Sequence, residues 1–189
     1  MNEVRHKALV PHGLKVSPGR VQAAFSVFNN IDADGDVVTP GAIEDGTGIL
    51  ISSWNHGSWA PGVLPLGRGT IRTDETEATV DATFFDTAAA RDTLIVLQGL
   101  GDRCQWSFGF RVLEAEHVDV GGRRVQLLTA LDVFEASPVL LGSNPLTRTL
   151  AVSGDDSADD ALAREYARFT AGELDRQIAA ELADIRAGL

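Results

Sequence analysis

The sequence predicts an α+β chain that is mainly β, with a strand-rich region over residues 1–150, one internal helix and an amphipathic helical tail. Three observations predict this. Up to residue 150, short apolar stretches are separated by Gly, Pro, Asn and Asp clusters, the usual punctuation of strands and turns. One stretch in the middle, Thr87–Gln98 (TAAARDTLIVLQ), has helical composition instead. Beyond Val152 the apolar residues recur at mostly helical spacing.

Taken in order, Val21–Phe28 reads as a strand and Asn29–Asp36 (NNIDADGD) as a turn. Gly48–Trp54 is a second strand, followed by a Gly/Pro-rich loop from Asn55 to Pro65. Gly67–Thr73 and Glu77–Phe84 are neighbouring strands joined at Asp74. The helix follows, stopped by Gly99 and Gly101. Arg103–Glu116 returns to strand, Val118–Val125 turns about Gly121-Gly122, and Leu127–Ala136 is another strand. The chain therefore divides into a leader (1–20), a domain (21–152), a polar linker SGDDSADD (153–160) and a helical tail (161–189). The tail's apolar stripe includes Leu162, Tyr166, Phe169, Leu174, Ile178 and Leu182. Ser157 is placed to cap this helix, with Asp160 three residues on, and Gly172 weakens or bends it. The stripe either packs on its own domain or docks on a partner.

Bulk properties narrow the function. The net charge of −11 repels phosphate, which argues against nucleic acid and anionic membrane surfaces as partners. No apolar run approaches the roughly 20 residues that span a bilayer, and MNEVRHKALVPHG lacks the apolar core of a signal peptide. Cys104 is the single cysteine, so neither an internal disulfide nor a cysteine-rich zinc site is available. Asp32-x-Asp34-x-Asp36 begins like a calcium loop, but Val37 stands where that loop needs Gly and Ile43 where it needs Glu. A tight acidic turn is the expectation. No G-x-S-x-G, H-E-x-x-H or phosphate-loop motif occurs.

Chemistry concentrates in three segments. In QWSFGFR (Gln105–Arg111), strand alternation puts Trp106, Phe108 and Phe110 on one face and Ser107, Gly109 and Arg111 on the other. The aromatic face anchors the strand. The opposite face sets a hydroxyl beside a residue without a side chain, leaving room for a second backbone to approach. Cys104 has the opposite parity and reads as a small buried hydrophobe. In SWNHG (Ser53–Gly57), His56 sits where a strand meets a loop, and an imidazole suits general-base work. His6 and His12 lie in the leader. His117 is roughly 33 Å from Ser107 along a straight strand at about 3.3 Å per residue. In LLTALDVFEA (Leu127–Ala136), both Asp132 and Glu135 are candidate semi-buried carboxylates, with Glu135 preferred.

These pieces, in this order, resemble the prohead proteases of tailed bacteriophages. The stretches are FSVFNNIDADGDVVTPGAI (Phe25–Ile43), SWNHGS (Ser53–Ser58), VLPLGRG (Val63–Gly69), WSFGF (Trp106–Phe110) and LDVFEASPVLLGSNPLT (Leu131–Thr147). The resemblance covers about residues 21–150. Gly142-Ser143 departs from the Pro-Ala that many members carry before Asn-Pro. The family implies a β-barrel like that of the herpesvirus assembly proteases, with flanking helices. It implies Ser107 as nucleophile, His56 as base and Glu135 as the acid that holds the imidazole. In the herpesvirus enzymes the third residue is a histidine, for which His117 is the candidate here, and its distance argues against it. The resemblance also implies backbone N–H groups of Phe108 and Gly109 at the oxyanion, Arg111 as an assisting cation or a plain surface residue, and no metal or cofactor. The expected substrate is scaffold protein or the scaffolding segment of the major capsid protein, cut inside the prohead in the host bacterial cytoplasm. A homo-oligomer fits the same setting. The rival readings are an inactive relative that serves as scaffold or assembly chaperone, and a host-encoded protease of the same fold.

Overall fold

The structure is a computed structural model that describes residues 19–153. The expected leader up to residue 18, the linker beyond Ser153 and the helical tail lie outside the described residues.

Eight strands and one α-helix make up the described chain. The strands are β1 (Arg20–Val27), β2 (Asp36–Val38), β3 (Gly48–Ile51), β4 (Gly67–Thr73), β5 (Glu77–Phe84), β6 (Gln105–Val120), β7 (Arg123–Val139) and β8 (Arg148–Ser153). Between β5 and β6 lies α1 (Ala88–Leu100). All eight strands join one sheet in the order β2-β7-β3-β4-β5-β1-β8, with β6 on the other edge of β7.

Alternation builds the core. Along β5, Ala78, Val80, Ala82 and Phe84 point inward, and Val21, Ala23 and Phe25 of β1 meet them. Ile51, Leu66, Ile71, Leu128 and Trp106 complete the interior. Trp106 brings one polar atom with it, and its indole N–H donates to Thr149 Oγ1 at 2.9 Å. Helix α1 closes one side with Ala90, Leu94 and Leu97. Thr87 caps its start by accepting from the Ala90 N–H, a contact worth about 1 kcal/mol.

The long β6–β7 hairpin sets the frame of the site. Gly121 and Gly122 both have positive φ, 62° and 80°, which is the backbone a two-residue hairpin turn demands. β7 then pairs with β6 on one edge and, on the other, with β2 and β3 in parallel.

Several expectations need correction. The second strand stops at Ile51, and Trp54–Trp59 form a 3-10 segment instead. Gly99 lies inside α1, which runs to Leu100 and is capped at Gly101. The strands β2 and β8 were not expected. The ladders also do not close into the barrel that the resemblance implied. Where β6 nears β8, a side-chain hydroxyl takes the place of a ladder carbonyl. The Trp106 N–H donates to Thr147 Oγ1, and a lone backbone bond joins the Thr149 N–H to Cys104 O. Where β6 nears β1, Phe25 and Phe108 pack edge to face, their ring centroids 5.3 Å apart. The result is a curled sheet with an open ladder.

Candidate active site

Ser107 stands near the start of β6, half-buried, opposite Ser137 of β7. Two positions on, Gly109 stands opposite Glu135. Trp106 is fully buried and Phe108 packs against the core, so the aromatic side of the strand holds the serine side outward as alternation predicts. Cys104 is buried, and burial raises its thiol pKa. A buried, protonated thiol is a poor nucleophile.

His56 arrives from the 3-10 segment after β3. Its backbone is left-handed (φ 58°, ψ 27°), as is that of Asn55 (φ 53°, ψ 45°). Each such residue costs of order 1–3 kcal/mol unless its surroundings impose it. Here the surroundings do. The His56 N–H donates to Ser137 Oγ at 2.9 Å, and the Ser137 hydroxyl donates to Ser53 O at 2.9 Å. Ser137 is fully buried, so it bolts the turn onto β7.

The turn aims the imidazole at both partners. His56 Nε2 lies 2.9 Å from Ser107 Oγ, and Nδ1 lies 2.6 Å from Glu135 Oε1. Glu135 is only 3% exposed. Its other oxygen, Oε2, is buried without a hydrogen-bond partner among the described residues. Among the described residues His56 is the one hydrogen-bond partner of this side chain, which favours the imidazolium. The hydrogen bond to Glu135 raises the His56 pKa, burial opposes it, and the Glu135 charge adds to the rise. Beside His56 an apolar shelf forms, where Trp59 packs edge to face on Phe134 at 5.5 Å.

The structure thus brings together Ser107, His56 and Glu135 and leaves the other candidates apart. Asp132 is exposed rather than semi-buried and lies 3.4 Å from Arg111 across the ladder. Arg111 is itself exposed and is occupied by that pair. His117 sits far along β6, opposite Gln126, where its charge is felt by Asp36. Ser137 was missed by the sequence reading. The signal for it was its parity with Glu135 on β7, two residues away.

A serine, an imidazole and a buried carboxylate stand in series on a curled β-sheet, the arrangement that activation of a serine hydroxyl requires. The model of one family, the caudovirus prohead serine proteases, matches residues 15–159. The chain belongs to that family, whose members are proteases of phage capsid maturation. Comparison with curated proteins and with solved structures found no match. Among the described residues no helix is long and apolar enough to cross a membrane.

Proposed function

We propose that this chain is an active serine endopeptidase that cuts scaffold protein, or the scaffolding segment of the major capsid protein, inside the assembling prohead. One observation carries the reading: Ser107 Oγ, His56 and Glu135 are joined by hydrogen bonds of 2.9 and 2.6 Å. An assembly chaperone has no use for such a relay.

The chemistry follows from the geometry. The Glu135 carboxylate can only accept, so it fixes the proton on His56 Nδ1 and leaves the Nε2 lone pair facing Ser107. Ser107 Oγ attacks the scissile carbonyl carbon and its proton passes to Nε2. The imidazolium so formed is stabilised by the buried carboxylate. It then gives the proton to the departing amine as the C–N bond breaks, leaving an acyl-serine. Water attacks this ester, Nε2 takes the water's proton, and the Ser107 oxygen leaves with a proton from the same imidazole. The apolar shelf of Trp59 and Phe134 lies beside the imidazole, and the burial of Glu135 strengthens its hydrogen bond to Nδ1.

The test is co-expression with the capsid gene, followed by intact-mass measurement of the capsid protein. A shortened capsid protein is expected, lost in Ser107→Ala and retained in Cys104→Ala. Normal processing by Ser107→Ala overturns the reading.

A further inference from the structure

A further cavity is lined in part by Ser107 and not by His56. It has a volume of about 230 Å³, below the roughly 300–1,000 Å³ typical of small-molecule sites and suited to a single side chain. Its walls have two characters. Phe25, Phe108 and Phe110 give it an aromatic part, and Asp32, Asp34 and Asp36 of the acidic turn give it an acidic part.

Among the described residues the three carboxylates form no salt bridge. Asp32 Oδ1 accepts the backbone N–H groups of Asp34 and Asp36, and Asp34 Oδ2 accepts from the Ser143 hydroxyl. Asp36 makes no side-chain hydrogen bond among the described residues, and no Lys or Arg there pairs with any of the three. Burial raises the Asp36 pKa, as do its neighbours Asp32 and Asp34, while His117 opposes the shift. Ser26 lines the same cavity. It is 1% exposed, and its Oγ has no hydrogen-bond partner among the described residues. A buried hydroxyl without a partner marks a position where a donor or acceptor is due. Among the described residues no three His, Cys, Asp or Glu side chains converge closely enough to hold a metal ion. An elongated basic side chain suits this aromatic and acidic lining better than a metal ion does.

We propose that this cavity is a specificity pocket for a lysine or arginine next to the scissile bond of the substrate. The proposal rests on Ser107 being the nucleophile, and it adds the substrate class. A long basic side chain lays its apolar stem along the phenylalanines and brings its charged head to the carboxylates. Ser107 lies in the wall, so the bound residue is one of the two that flank the bond being cut. The net charge of −11 adds a field that draws basic segments toward the surface.

The experiment uses the full chain and a proteome-derived peptide library, with cleavage sites read by mass spectrometry. Lys or Arg is expected at one of the two flanking positions. Matched peptides carrying lysine or norleucine there are then compared with wild type and with the double variant Asp34→Asn, Asp36→Asn. The variant lowers the lysine-to-norleucine ratio of kcat/KM by about ten-fold or more, the usual scale for losing a charged hydrogen bond. Cleavage without a basic preference overturns the pocket, as does an unchanged ratio in the variant. A rise in melting temperature on adding calcium alone also overturns it, in favour of a metal loop. Labelling of Ser107 by a small fluorophosphonate separates two failures. A labelled enzyme that ignores lysine loses only this inference, and an unlabelled chain that cuts no peptide loses the protease reading as well.

Discussion

Gly109 faces Glu135 across the β6–β7 ladder so closely that a Cβ on Gly109 would collide with Glu135 Oε1, the oxygen bonded to His56. The same Cβ would press on Phe134. The glycine in WSFGF thus leaves the room that Glu135 occupies. Gly109→Ala should force Glu135 away from the imidazole while Trp106 and Phe108 keep the strand in place. Misplacement on this scale costs of order 10²-fold in rate. Peptide hydrolysis should fall by about that factor with the melting temperature little changed, and wild-type activity would show that Glu135 needs no such room.

Much of this site was legible in local patterns, and the limits were physical. Alternation placed Ser107 and Gly109 on one face because β6 is regular there. It was weaker on β7, where the register slips beside Phe134, between the pairs Gly109–Glu135 and Phe110–Val133. Parity could therefore not rank Asp132 against Glu135 by burial, and the structure shows Glu135 buried and Asp132 exposed. The left-handed turn at His56 was invisible, since Ser137, which holds it, lies 81 residues away in sequence. The short strand β2 was hidden by the acidic turn before it, and the open ladder depends on Thr147 and Thr149 meeting β6 from far along the chain.

The raised His56 pKa fixes the direction of the pH profile. The base works only when neutral, so kcat/KM should rise with pH through a midpoint above the ordinary histidine value of about 6.5. Glu135→Gln removes the hydrogen-bonded charge and leaves burial, which pushes an imidazole down. The midpoint should move to lower pH, and kcat should fall by roughly 10⁴-fold, as for the analogous change in another triad. Asp132→Asn should leave both quantities near wild type. A strong loss in Asp132→Asn with a mild one in Glu135→Gln would exchange the two roles.

Ser137 should behave as a positioning residue. Ser137→Ala leaves the His56 N–H and the Ser53 carbonyl without their bridge, at a cost of about 1–3 kcal/mol. The turn then relaxes and Nε2 drifts from Ser107. The expected result is a fall in kcat with KM nearly unchanged and most of the protein still folded. An equal loss in kcat and in folded fraction would assign Ser137 to the fold alone.

The most direct measurement is labelling of the full chain with a small fluorophosphonate, mapped by peptide mass spectrometry. Such reagents phosphonylate a serine whose proton a neighbouring base removes. The label should fall on Ser107, follow the same pH midpoint as hydrolysis, and nearly vanish in a His56→Ala variant. A wild-type protein that shortens its capsid substrate while Ser107 remains unlabelled would contradict the account.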